Sequence, residues 1–473
     1  VPQSAQSVVK VSDFAANHPT LDRICRPLGM YHVYTSVWFS AIYLLLFISL
    51  IGCIVPRIVS HAKALRRQPP RVPARLDRLA AHASMTTSAS AAEVSQRAQQ
   101  WLTSHRYRFV VDDDGSLRAE AGRHRETGNL VFHIFLVFVL VGVGWNTLWG
   151  FKGTSVVVEG QGFSNSITQY DEFKAGAMVD TDNLTPFSMK LRKFVVSFET
   201  GTVQRGAARS FDATVDLTMG GKTQTRDLQV NHPLRIGSTK VHLLGHGYAA
   251  DVVVRDGDGK VAYSGPVVFL PQDANFKSVG VIKAPDARPD RLAFQGFFLP
   301  TGAITAGGPT SLFPDALNPQ LYLTAWYGKP TVETGVPSNI YTLDTTGLTQ
   351  VTNGKDKARF VLSPGQRYKL PDGKGSIQFN GWQRWAKIQV SQNPGLPLTF
   401  LSVVLSVAGL CVSLFSRSRR VWVRTIPGDD GLRVEIGGLD RSDSRSGAVD
   451  DVNSLLAALH GDSMSGDVGE EHS

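Results

Sequence analysis

The stretch Gly128 to Gly150, GNLVFHIFLVFVLVGVGWNTLWG, constrains this chain more than any other part of it. From Asn129 to Trp149 it holds no acid, lysine or arginine. At ~1.5 Å per residue it is long enough to cross ~30 Å of hydrocarbon as a helix. It carries one ionisable side chain, His133, near one end. An ionisable group inside a membrane span is costly and is by default a functional group with a partner to be named. Imidazole is also the side chain most often used to ligate iron and other borderline metals. The plainer alternative is a histidine that hydrogen-bonds a neighbouring helix.

Two more uncharged runs, SVWFSAIYLLLFISLIGCIV from Ser36 and LPLTFLSVVLSVAGLCVSLFS from Leu396, bring the number of expected spans to three. The 473 residues carry a formal net charge of +9, and much of the basic excess sits beside these runs. PRIVSHAKALRRQPPRVPARLDR follows the first, and RSRRVWVR follows the third. The positive-inside rule then places residues 57–127 and 417–473 in the cytoplasm, with 1–35 and 151–395 outside. The spans are 36–56, 128–150 and 396–416, with Pro56 ending the first helix. Tyr34, Trp38, Trp145, Trp149, Trp382 and Trp385 fall near the outer ends, where amphipathic rings settle. The chain begins with Val1 on the outside, so an earlier span or a processed leader is expected upstream.

Of the 3 cysteines, Cys53 and Cys411 lie inside spans and Cys25 lies in the leading segment. The long external region holds none, so its core must stand without disulfides. The absence of CxxC argues against a thiol–disulfide oxidoreductase, and the absence of CxxCH means this chain carries no covalent haem of its own. No GxSxG and no phosphate loop is present, so no catalytic residue is named.

The leading segment suggests a short amphipathic helix flanked by His18 and His32, read as solvated or interfacial side chains. In the first loop, Gln68 to Thr87 reads as an irregular basic strap along an anionic leaflet. Ala91 to Ser104 has helical spacing, and RYRFVVDDDGSLRAEAG alternates around a hairpin turn at Asp114–Gly115. Arg123, His124 and Arg125 precede the central span, as anchors or, for His124, facing a ligand arriving from that side. Residues 151–395 read as all-β, a sandwich-like domain of two sheets or two lobes built from about ten strands, large enough for its own core. Within it, VHLLGHGY invites a metal or haem reading for His242 and His246; on an unbroken strand both share a face, about 13 Å apart, too far for one ion. His232, before Pro233, reads as a turn residue. After RSRRVWVR comes a short hairpin, and Ser442 to Ser473 reads as mostly disordered around one short helix, VNSLLAALH. The fold class is therefore mixed: transmembrane α-helices plus a large extracytoplasmic all-β domain.

Several of these stretches together resemble the ResB (CcsB) proteins of system II cytochrome c biogenesis, actinobacterial type. YTSVWFSAIYLLLFISLIGCIVPR resembles their second span, and GRHRETGNLVFHIFLVFVLVG their third. HLLGHGYAADVVVRDGDGKVAYSGPVVFLPQD with FQGFFLPT resembles the external domain, and NPGLPLTFLSVVLSVAGLCVSLFSRSRRVWVR the last span and its exit. The resemblance runs from Val1 to about Arg433, and implies that this chain lacks the family's first span.

The resemblance implies a subunit of a cytochrome c synthase in a bacterial plasma membrane. It would handle haem b in transit and work with a CcsA/ResC-like polytopic protein to attach haem to CxxCH of apocytochrome c. Thiol-reducing proteins of the ResA and CcdA type belong to the same setting, membrane lipids are contacts, and no nucleic acid is expected. It further implies His133 as an axial haem ligand; His124 and His246 are haem-proximal candidates from the residue reading above. No WGxxWxWD-like stretch occurs here, so the partner must provide that surface and this chain is no haem lyase alone. The competing reading is a membrane-tethered β-sandwich receptor or scaffold without haem.

Overall fold

The structure is a computed structural model and describes residues 8–330, 342–354, 356–428, 431–440 and 446–460. The chain divides into two compact units, Val1–Gly144 with Gly395–Ser473, and Trp145–Pro394.

In the first unit, α1 (Val8–Asn17) and α2 (Pro19–Cys25) precede α3 (Val37–Arg66), which Ser36 caps by accepting from the Phe39 amide at 3.4 Å. Then come α4 (Ala91–Ser104), α5 (His124–Trp149), α6 (Leu396–Phe415) and α7 (Ser446–His460). Helices α3, α5 and α6 are long and apolar enough to cross a membrane. Pro56 does not end α3, contrary to expectation; the helix carries it inside and continues to Arg66. Apolar spans tolerate an interior proline because neighbouring groups re-satisfy the freed backbone.

Between α5 and α6 the backbones meet at glycines. A Cβ on Gly128 would stand 2.6 Å from the Gly409 carbonyl oxygen, and one on Gly409 would stand 2.8 Å from the Phe132 nitrogen. Ser406 donates to the Phe132 carbonyl at 3.2 Å across the same crossing. Small residues of this kind let apolar helices approach closely where no hydrophobic effect drives them together. On its other side α5 meets α3: Tyr43 donates to the Leu140 carbonyl at 2.5 Å, and His61 Nε2 lies 2.9 Å from Thr127 Oγ1. The helix carrying His133 is therefore the middle one.

The segments flanking the apolar helices form one small α/β fold, where the sequence had suggested separate pieces. Its antiparallel sheet runs Ala81–Thr87, Gly431–Asp440, Arg419–Gly428, Leu117–Ala121, Arg108–Val111. The segment read as an irregular strap thus ends in an edge strand. Helix α4 starts with a full capping box at Ser90 and Glu93, and its Val94, Ala98 and Leu102 are buried with Val423, Ile436, Val452 and Leu455. Trp101 Nε1 donates to Ser454 Oγ at 3.1 Å, which ties α4 to α7. α7 contains the helix expected around VNSLLAALH; residues 442–445 and 461–473, also expected to be irregular, lie outside the described residues.

The second unit is β-rich with two cores. Its main sheet runs Thr349–Gln350, Gln320–Gly328, Arg291–Leu299, Ser278–Ala284, Val261–Pro271, Thr239–Asp256, Gly375–Gln392, Phe151–Val158, Glu172–Ala175. A second sheet runs Gly162–Ser164, Ser188–Phe198, Ala208–Met219, Lys222–Gln229. Strands Thr239–Asp256 and Gly375–Gln392 are 18 residues each, pair along their whole length, and serve both cores. Val241, Leu243, Ile388 and Val390 enter one; Tyr248, Val252, Val254, Ile377 and Phe379 enter the other. VHLLGHGY and the ADVVVRD that follows it lie in one strand, Thr239–Asp256. Lys222–Gln229 was not legible because seven of its eight residues are exposed and it shows no apolar alternation.

Candidate functional site on the central apolar helix

His133 lies about two and a half turns into α5, half-buried, with the Phe132 ring edge-on at 4.9 Å. Its Nδ1 is 2.7 Å from the carbonyl oxygen of Asn129, one turn earlier. A carbonyl can only accept, so Nδ1 carries a proton, and Nε2 is the ring nitrogen left to meet a ligand. A second partner of this kind fixes the tautomer and ring orientation of a ligating histidine and raises its basicity. Here that partner is the helix's own backbone.

Beside His133, a cavity of about 280 Å³ opens between α5 and α3. Leu130 and His133 line it from α5, and Leu46, Leu50, Cys53 and Arg57 line it from α3. Those four recur at steps of four, three and four residues, so they form one stripe of the helix. The walls are mainly apolar; Ser49 and Cys53 are mildly polar, Arg57 is the one charged side chain, and no acid is among them. The site therefore offers one imidazole nitrogen, an apolar wall and a cation at one end. Sequence reasoning missed Arg57 and Cys53 because ending the helix at Pro56 assigned Arg57 to a loop; the i, i+4, i+7, i+11 spacing from Leu46 was the available signal.

Of the other candidate histidines, His124 does not join His133. His124 opens α5 with its side chain exposed, about two and a half turns earlier and so on the opposite side of the helix. His246 is in the second unit, 8% exposed, and ringed by Phe194, Phe198, Phe211 and Phe276 at 4.6 to 6.2 Å. Burial, with the nearby Arg384 guanidinium, pushes its pKa down to about 4, so it is neutral and enclosed. His242 does not share its face. An extra residue, Leu244, bulges the strand, so His242 pairs with Gln389 and His246 with Ala386, three residues apart and hence on opposite faces. The bulge overturns the expectation that both point the same way. His232 sits in a turn after Asn231, whose φ is +64°. His18 lies against Phe14. Among the described residues no three His, Cys, Asp or Glu side chains cluster as a metal site.

The ResB-like family matches residues 1–449. The chain belongs to that family. Both walls of the cavity, α3 and α5, fall within the ResB-like match. Relatives of this ResB-like chain include the cytochrome c biogenesis protein CcsB of Synechococcus sp. (strain JA-3-3Ab), 24% identical over 85% of this chain and 72% of the relative. The CcsB of Trichormus variabilis is 23% identical over 88% of this chain and 76% of its own length. That of Picosynechococcus sp. is 28% identical over a shorter match, 44% of this chain and 42% of the relative.

Proposed function

We propose that this ResB-like chain handles haem during cytochrome c maturation, holding it as cargo through Nε2 of His133. The observation that carries the reading is the Nδ1–H bond from His133 to the Asn129 carbonyl, which orients the ring and leaves Nε2 as the ligating nitrogen beside an apolar cavity. Neutral imidazole with its second nitrogen bonded is the form that ligates haem iron. Family membership and the CcsB relatives support the biological setting.

In this reading the chain sits in a bacterial plasma membrane with its Arg-rich small module inside and its β-rich unit outside, as the charge bias directs. Haem b enters sideways from the bilayer, where its macrocycle is at home, and His133 holds the iron. A CcsA/ResC-like polytopic partner provides the aromatic surface this chain lacks and completes attachment to the CxxCH of apocytochrome c. The β-rich unit positions apocytochrome c or braces the partner.

The test is an absorption spectrum. The full-length chain is co-expressed with its polytopic partner, purified in detergent, and compared with His133→Ala. A Soret band in the wild type, weakened in the variant and restored by added imidazole, is the expected result. Stoichiometric haem unaffected by the substitution moves ligation to the partner. No haem in either intact complex leaves the chain as a membrane-tethered scaffold.

A further inference from the structure

We infer that Arg57 is the carboxylate anchor of the same cavity, holding a propionate of the iron porphyrin whose iron His133 ligates. This rests on the haem reading above and specifies which chemical features of the ligand the cavity recognises.

Arg57 lies one residue past Pro56, yet inside the continuous helix α3, so its side chain projects from the same stripe as Leu46, Leu50 and Cys53. Among the described residues no acid lines the cavity. Arg57 is exposed near the end of the span, so its guanidinium is accessible to an anion that arrives with a ligand. Carboxylates are its preferred counter-ions because the planar fork bonds both oxygens at once. A ligand satisfying the whole cavity needs an apolar body for the leucine wall, a Lewis-acidic centre for His133 Nε2, and a carboxylate at one edge for Arg57. A metalloporphyrin dicarboxylate has all three. A phospholipid phosphate could satisfy Arg57 but gives the imidazole lone pair nothing to bind.

The experiment separates iron from carboxylate. The full-length chain, co-purified with its polytopic partner, is titrated with iron protoporphyrin IX and with its dimethyl ester. Wild type, Arg57→Gln, Arg57→Lys and His133→Ala are compared. Soret shift reports iron ligation. Maleimide labelling of Cys53, an exposed free thiol in the same cavity wall, reports occupancy and is read by peptide mapping. Arg57→Gln is expected to weaken the free acid roughly 10- to 100-fold, the scale of a lost hydrogen bond to a charged group. It leaves the ester's affinity at the wild-type value, which also shows that the variant's cavity is intact. Arg57→Lys falls between, since an ammonium keeps the charge but not the fork.

Equal weakening of acid and ester by Arg57→Gln, or no effect on either, overturns the assignment and leaves Arg57 as a headgroup anchor. If His133→Ala abolishes the Soret complex while Arg57 variants behave as wild type, the haem reading survives and only this inference fails. If wild type binds neither porphyrin, both fail together.

Discussion

Tyr107 donates a hydrogen bond to Asp451 at 2.6 Å, joining residues 344 positions apart in the chain. Arg419 Nη1 meets the same carboxylate at 2.8 Å. One acid on α7 thus fastens the segment before α5 to the segment after α6, and burial with this carboxylate pushes the Tyr107 hydroxyl far above its ordinary pKa. Replacing Asp451 with Ala leaves a largely buried hydroxyl and a guanidinium short of a partner, at a cost of roughly 2–3 kcal/mol. Hydrogen exchange on the full chain is expected to rise in α4 and in Arg108–Val111 as well as in α7. Faster exchange confined to α7 means the two segments do not fold as one.

The α5–α6 crossing depends on Gly409, where a side chain would meet the Phe132 nitrogen at 2.8 Å and the Gly128 carbonyl at 2.9 Å. Backbone cannot yield, so Gly409→Val must part the helices, costing about 1–3 kcal/mol. Thermal unfolding of the detergent-solubilised chain reads the loss. Gly52→Ala, where a side chain would meet nothing within 4 Å, is the control and keeps the wild-type midpoint. Equal midpoints for all three proteins remove the glycine contact from the account.

His246 gives the β-rich unit a pH dependence with a definite sign. Its pKa is about 4 when folded against 6.5 as a free side chain, so between those values the unfolded chain binds a proton that the folded one refuses. Stability from this group is complete above about pH 6.5 and falls as acid is added down to about pH 4, by roughly 3 kcal/mol in total. Exchange rates in Thr239–Asp256, measured from pH 7 to 4, are expected to climb accordingly, after correction for intrinsic chemistry. His246→Phe should flatten the curve. A wild-type slope retained in the variant assigns the effect to other groups.

Trp385 closes the junction of the two long strands with their neighbour: its Nε1–H is shared between the Tyr248 carbonyl at 3.0 Å and the Phe269 carbonyl at 3.2 Å. Trp385→Phe keeps an aromatic ring but removes that donor from two buried acceptors, at about 1–3 kcal/mol. Local exchange should speed up first in Val261–Pro271. Unchanged protection there shows that water replaces the indole without loss.

The apolar helices, the strand-rich middle, the helix Ala91–Ser104 and the hairpin after it were legible because each follows from local pattern: an uncharged run, a 3.6 period, an alternation around Asp–Gly. His133 stood out for the same reason, as the one ionisable group in a run without charges. Sequence alone thus determined these elements and nominated the histidine. It could not show the rest, because those features depend on residues distant in the chain or on a single irregularity. One inserted residue, Leu244, turns His242 and His246 to opposite faces. Only three-dimensional pairing brings Asp451 to Tyr107, and only the continuation of α3 through Pro56 turns Arg57 toward the cavity that His133 shares.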